Sequence, residues 1–356
     1  MRILLLAGEE SGMLYARRIR ALLDGHEIRG YEDYGFKTGD MAVMGFAEVV
    51  KRLPYFLNVK ATMQRAIDDW KPEVVCTIDY PGMNLKLAAY AKAKGVRTVH
   101  VVCPQVWAWK QGRIPKIEAS LDKLCCFFPF EPAYFKPGFA SFIGHPLVEG
   151  FAERDPEAYE KNLVALLPGS RLGEVERNLP TMLEALARLS GVRAVVPAAN
   201  ERAERAIRKV LDDLGPRVPD SLQVQSGGAR ELLLRADCAV VASGTATLEA
   251  ALARCPTVLV YKVSAALAWF ARRVIKGVKH IGLVNVVWEK GGGTGDSPMP
   301  ELLQEDFTAE RVASVLSAWL ASAEARKVAV ERLDAVVREL GSGTGAMESV
   351  VAEILR

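Results

Sequence analysis

The sequence predicts an α/β chain of two Rossmann-like, doubly wound parallel-sheet domains with a cleft between them. Short β-rich apolar runs alternate with amphipathic stretches through the first half, the pattern of βαβ units and a parallel sheet. After a polar run near residue 155 the same alternation begins again. A chain of 356 residues exceeds what one ordinary core accommodates and suits two domains of about 150 to 180 residues each.

The first series of elements is "RILLLAG", a helix over about Met13 to Leu23, "EVVCTID", a helix over Leu85 to Lys94, then the strands "RTVHVVC", "KLCCFF" and "ASFIG". The second is "LVALLP", a helix to about Leu189, "RAVVPA", a helix over Glu201 to Leu214, "LQVQS", a helix near Arg230, "CAVVAS", a helix over Ala246 to Arg254, and "TVLVYK". From about Thr308 the chain is rich in Ala, Glu and Arg and reads as helix, interrupted by "GSGTGA" at 341–346. The expected division is residues 1–155, residues 156–340, and a last helix at 341–356 that braces the domains.

Composition narrows the function. Half the residues are apolar, a quarter are charged and the formal charge is +3, which argues against a nucleic-acid protein defined by bulk charge. The opening apolar run, Ile3 to Ala7, is far shorter than a signal-peptide core and reads as a first strand. No stretch approaches a spanning helix, so a cytoplasmic location with at most peripheral membrane contact is expected. The six cysteines lie in or beside apolar strand-like segments with no C-x-x-C pair, and the four histidines are scattered. Neither metal site nor cofactor is expected.

Two strand-to-helix turns in the second half suit phosphate. In "LLPGSRLGEVE", Gly169 and Ser170 let backbone amides approach an anion, while Arg171 adds a planar permanent cation. In "VVASGTATLEAAL", Ser243, Gly244 and Thr245 repeat the geometry, and Glu249 falls one turn inside, where it can accept from ribose hydroxyls. The alternative is a pair of simple N-caps with Arg171 in a surface ion pair. Neither turn is a P-loop, and no G-x-G-x-x-G follows a strand.

In the first half, "EVVCTIDYPGMNLKL" ends a buried strand at Asp79, a carboxylate placed to take a proton from an attacking hydroxyl, or else an Asx-turn or helix cap. "GEESG", with Gly8 and Ser11, is a third turn after a strand. Trp107 and Trp109 can stack on sugar faces or cover a core, and His145 can bond a ligand or cap its turn. Two basic, apolar stretches suggest a lipid surface. "GFAEVVKRLPYFLNVK" carries Phe46, Val49, Val50, Leu53, Phe56 and Leu57 with Pro54 disrupting a regular helix; "KVSAALAWFARRVIKGVK" carries no acid. An ordinary half-buried helix remains open for each.

The strings "LAGEESG", "MAVMGFAEV", "PQVWAWKQGR", "FPFE", "FIGHPL", "LLPGSRLGEV", "ASGTATLEAAL" and "PELLQ" resemble the lipid-A-disaccharide synthase family of glycosyltransferases in their order along most of the chain. The resemblance implies a GT-B arrangement and metal-independent, inverting transfer of a 2,3-diacylglucosamine unit from UDP onto 2,3-diacylglucosamine 1-phosphate, releasing UDP. It implies Asp79 as base, Arg171 on the diphosphate, and a donor-binding role for Asn285. The implied partners are the UDP-diacylglucosamine donor, the acylated glucosamine 1-phosphate acceptor and the inner face of the cytoplasmic membrane; a homodimer is left open. Departures lie in the first half. The family's S-G-D is here Ser11, Gly12, Met13; its D-x-P-D-F-N is Asp79, Tyr80, Pro81, Gly82, Met83, Asn84; and the segment between Leu23 and Met41 is short. A divergent member with another acceptor, a UDP-sugar 2-epimerase and a non-catalytic sugar-nucleotide or lipid-binding paralogue are the alternative readings.

Overall fold

The computed structural model describes residues 1–37, 41, 52–151, 159–264, 268, 279–342 and 344–356. They form two compact units, residues 1–149 with 342–356, and residues 150–341. Among the described residues each unit holds a six-stranded parallel sheet.

The first sheet is ordered β2-β1-β3-β4-β5-β6. Its strands are β1 (Arg2–Ala7), β2 (Glu27–Arg29), β3 (Val74–Ile78), β4 (Arg97–Val101), β5 (Lys123–Cys126) and β6 (Ala140–Phe142). Because the chain leaves β1 in one direction and returns through β3 in the other, the order reverses between these two neighbours, and doubly wound sheets hold ligands at the carboxyl ends of such a pair. Both strands are apolar on both faces, as a covered parallel sheet requires. Helices α1 (Glu10–Leu22), α2 (Leu53–Trp70), α3 (Pro81–Ala93) and α4 (Ile114–Ser120) supply the cover. Leu4, Leu6 and Val75 meet Val59, Met63 and Ile67 of α2 and Leu87 of α3 on one side. Leu85, Ala88, Ile117 and Leu124 pack together further along the same face, Leu124 aligning with Leu6 through Thr77 and His100. Each such side chain contributes roughly 1.5–3 kcal/mol when fully buried.

The second sheet runs β12-β11-β10-β7-β8-β9, with β7 (Glu160–Leu167), β8 (Arg193–Ala198), β9 (Leu222–Ser226), β10 (Ala236–Ala242), β11 (Thr257–Tyr261) and β12 (Glu301–Leu303). Counted from β7 this is the 3-2-1-4-5-6 order of dinucleotide-binding sheets, and its reversal falls between β7 and β10. Its helices are α5 (Leu172–Leu186), α6 (Glu201–Leu214), α7 (Ala229–Arg235), α8 (Thr245–Leu252), α9 (Leu283–Lys290), α10 (Ala309–Ala321) and α11 (Ala323–Glu339). Val175, Leu179 and Leu183 of α5, Ile207 of α6 and Leu316 of α10 close over Val164, Val196 and Val240. Asn200 and Thr308 start α6 and α10 by accepting the amides of Ala203 and Arg311, the capping expected of these residue types. The chain ends in α12 (Ala346–Leu355), which packs on α1 in the first unit.

Pro54 does not disrupt a helix. It occupies the first turn of α2, where its missing N–H is unneeded and its fixed φ favours the helix. Phe56 is consequently buried, whereas Leu53 and Leu57 stand 51% and 58% exposed. Phe46, Val49 and Val50 lie outside the described residues, as does most of the basic stretch, 265–267 and 269–278. No helix among the described residues is long and apolar enough to cross a membrane.

Candidate active site: a cradle for an anion and a desolvated carboxylate

The two turns singled out in the second half lie at one place because β7 and β10 are adjacent. The turn after β7 and the turn after β10 face each other across the reversal of strand order and line one cavity of about 330 Å3. Gly169, Ser170, Arg171, Ser243, Gly244, Thr245 and Glu249 all line it, joined by Glu174. Gly169 makes the first turn possible. Its φ of +115° is one that side chains rarely adopt, and a Cβ there would come within 2.6 Å of a Glu174 carboxylate oxygen. Two buried side chains fasten the turns from beneath. Asn178 Nδ2 donates to the Pro168 carbonyl at 3.0 Å, and the Thr247 hydroxyl donates to the Gly244 carbonyl at 2.7 Å.

Arg171 opens α5, where the helix dipole disfavours a cation. Glu174 offsets this: Arg171 Nη1 donates to Glu174 Oε1 at 2.8 Å, and the Arg171 amide donates to Oε2 at 3.4 Å. The guanidinium nevertheless stays 59% exposed at the cavity while the carboxylate is 14% exposed. Burial pushes the Glu249 carboxyl up, with the charge of Arg230 acting against the shift. Arg230 lies 3.8 Å over the Phe151 ring and donates to the Gly150 carbonyl. Amides at two helix starts plus one exposed guanidinium are groups able to hold a doubly charged anion.

Asn285 is not in this cavity. It is fully buried, and its amide is spent on Met299 and Glu301, donating to the Met299 carbonyl at 2.7 Å and to Glu301 Oε1 at 2.8 Å while accepting the Met299 amide at 3.0 Å. It ties α9 to the start of β12.

In the first unit Gly8 and Asp79 follow β1 and β3, again at the reversal of strand order. Asp79 and Tyr80 both take φ of +50°, two adjacent left-handed non-glycine residues, each costing about 1–3 kcal/mol and persisting only where the surroundings enforce it. Asn84 enforces it. Wholly buried, it donates through Nδ2 to the carbonyls of Asp79 at 2.8 Å, Ile78 at 3.1 Å and Leu6 at 3.3 Å, and accepts the Tyr31 hydroxyl at 2.7 Å. Tyr80 in turn lies so close to Gly8 that a Cβ there would meet its ring at 2.6 Å. Burial raises the Asp79 carboxyl above the ordinary carboxylate range, partly opposed by the backbone N–H of Tyr80. The Tyr15 phenol of α1, edge-on to the Phe127 ring, is raised by burial and then by the Asp79 charge. Ser11 falls in the first turn of α1. Met13, with Arg17, Arg20 and Tyr31, lines a smaller cavity of about 110 Å3.

Of the tryptophans, Trp107 covers a core: it is buried, and its indole donates to Glu131 Oε1 at 3.2 Å. Trp109 is partly exposed under the Lys110 ammonium at 4.3 Å. His145 is buried between Phe127 and Phe128, accepts the Leu147 amide, and is held neutral with its pKa lowered to about 4. Desolvation raises Glu131 to about 8. The structure also brings Cys103, Cys126 and Glu131 to within 4.8 Å of one another, a grouping that sequence spacing does not reveal. Its donors are used inside the core, since both Glu131 oxygens accept hydrogen bonds and the Cys103 thiol donates to the Pro104 carbonyl.

Asn84, Asn178 and Glu174 are the residues that sequence reasoning missed as parts of these sites. Asn84 and Glu174 stand inside strings already singled out, but nothing in their spacing shows which carbonyls or cations they reach.

Two doubly wound parallel-sheet domains are the architecture of GT-B glycosyltransferases. The chain belongs to the lipid-A-disaccharide synthetase family, whose sequence profile matches residues 3–355, and is an enzyme of lipid A biosynthesis. It is 36% identical to the lipid-A-disaccharide synthase of Syntrophus aciditrophicus over 98% of this chain and 96% of that one. With the Myxococcus xanthus enzyme the identity is 34% over 98% and 97%. Among solved structures it is similar in fold to MurG of Acinetobacter baumannii, with a TM-score of 0.61, 13% identity and 99% of each chain covered. The UDP-GlcNAc 2-epimerase of Neisseria meningitidis, crystallised with UDP-GlcNAc, gives 0.62 at 10% identity over 100% of both chains.

Proposed function

We propose that the chain transfers a 2,3-diacylglucosamine unit from UDP to the 6-hydroxyl of 2,3-diacylglucosamine 1-phosphate, inverting the anomeric centre. The acceptor oxygen bonds to C1 as the bond from C1 to the diphosphate oxygen breaks. The hydroxyl proton passes to Asp79, and the electron pair leaves with UDP. The observation that carries this reading is the pair of turns at the β7/β10 reversal lining one cavity with the exposed Arg171. Charge grows on the leaving diphosphate in the transition state, and preorganised amides and a guanidinium aimed at that charge are the principal catalytic contribution. Glu249 accepts from the ribose.

A carboxylate with a raised pKa suits a base, because its proton affinity approaches that of its task. Asp79 is held by Asn84 in a backbone conformation that few residues tolerate, the kind of enforced strain that accumulates at functional sites. The exposed Leu53 and Leu57 favour attachment to the inner face of the membrane, where acylated substrates reside.

The test is an assay of the purified protein with a panel of UDP-acylaminosugars and acylated acceptors, products read by mass spectrometry, in the presence of EDTA. A β-1,6 disaccharide and stoichiometric UDP are expected, and Asp79→Asn is expected to abolish transfer while sparing UDP affinity. UDP release without any acceptor would contradict the reading. Met13 and Gly82, where the acceptor-side strings depart from the family pattern, are the reason to vary the acceptor.

A further inference from the structure

A carboxylate in a cavity built for a diphosphate needs an explanation. Glu174 is largely buried, 14% exposed, and its Oε2 lies where a Cβ on Gly169 would go, beside the turn whose amides would meet a phosphate. One oxygen takes the Arg171 guanidinium and the other the Arg171 amide. These are the donor types an incoming phosphate would use. The pairing is local, i to i+3 along α5, so it re-forms without any movement of the fold. The guanidinium side of the pair is the more exposed, leaving Arg171 able to exchange partners.

Resting on the donor-pocket reading above, we infer that Glu174 is an internal competitor for the nucleoside diphosphate. When the cavity is empty it holds Arg171 on the cradle. When UDP occupies the cavity, Glu174 loses the guanidinium to the diphosphate, and its recapture of Arg171 speeds product departure. The residue lowers product affinity so that the strong anion binding needed in the transition state does not become a trap. Glu174 is thus a positioning residue acting through Arg171, and it touches no reacting atom.

The experiment is titration of UDP against the native chain, Glu174→Gln, Arg171→Ala and the double variant, with weak binding read by NMR. Gln is isosteric and still accepts the Arg171 amide, and thermal unfolding checks that α5 keeps its start. Removing a competing charge a few ångströms from the binding cation is expected to lower the UDP Kd about tenfold in Glu174→Gln. Uridine, which has no phosphate, should bind both alike. In the Arg171→Ala background the gain should vanish, and UDP should inhibit transfer by Glu174→Gln more strongly in the same proportion. Unchanged or weaker UDP binding by Glu174→Gln overturns the inference alone, as does equal tightening with and without Arg171, which marks general repulsion. No UDP binding by the native chain overturns the donor-pocket reading and this inference with it.

Discussion

Asn84→Ala tests how the acceptor-side carboxylate is held. Asn84 is wholly buried and bonds the carbonyls of Asp79, Ile78 and Leu6 and the hydroxyl of Tyr31. An amide nitrogen has two protons, so the three carbonyls share two strong bonds. Alanine leaves two carbonyls and the buried Tyr31 hydroxyl unmet, at about 1–3 kcal/mol each, and water entering the small void recovers part of that. A net loss of about 3–5 kcal/mol follows, which lowers Tm by roughly 10 °C in a domain of this size. The strained Asp79 and Tyr80 backbone then loses its enforcer, so transfer should fall much further than stability alone dictates. UDP affinity should remain within about twofold, because additivity holds for sites that share no partners. Calorimetric unfolding, UDP titration and the transfer assay on one preparation provide the readout. A Tm shift of only a degree or two with full transfer would show that Asn84 does not hold Asp79.

Three further outcomes are expected. Gly169→Ala places a methyl against Glu174 at a φ of +115°, so it should cost about 1–3 kcal/mol of stability and weaken UDP binding; native-like binding would remove that turn from the cradle. For Asp79 the folded state holds the proton more tightly than the unfolded chain, so stability falls as pH rises from the ordinary carboxylate value through the raised one. Asp79→Asn should therefore be inactive yet slightly more stable than the native chain at neutral pH, the gain disappearing below the ordinary carboxylate range, and the native rate should rise with pH on an acid limb above that range. Gly82, in the first turn of α3, has open space where a Cβ would go; Gly82→Asp should stabilise by about 1 kcal/mol through helix propensity and the helix dipole, and an unfolding midpoint below native would contradict this.

Long periodic segments were legible in the sequence: α6 runs Glu201 to Leu214 as its apolar spacing indicates, and the strands at β3, β7 and β10 are unmistakable apolar runs. The short strands β2 and β12 were not, since Glu27–Arg29 and Glu301–Leu303 are too short for periodicity to register; β6, equally short, was legible only within the apolar run "ASFIG". Pro54 was misread because a proline inside an apolar, basic stretch signals either a break or a start, and only the preceding chain direction distinguishes them. For the sites, the Gly/Ser turns after strands were visible as chemistry because a parallel sheet brings such turns to one edge. The fate of Asn285 was not: an asparagine's amide looks the same in sequence whether it meets a ligand or the Met299 backbone. The same holds for Trp107, whose indole finds Glu131 twenty-four residues away, and for Glu174, whose place beside Gly169 depends on the left-handed turn.

The most direct test of the central claim is the affinity of UDP for the native chain and for Arg171→Ala. The account predicts measurable binding by the native chain and a loss of about 10- to 100-fold on removing a charged hydrogen-bond donor to the diphosphate, with thermal stability nearly unchanged because the side chain is largely exposed. Equal affinity in the two proteins would place the diphosphate elsewhere and contradict the account.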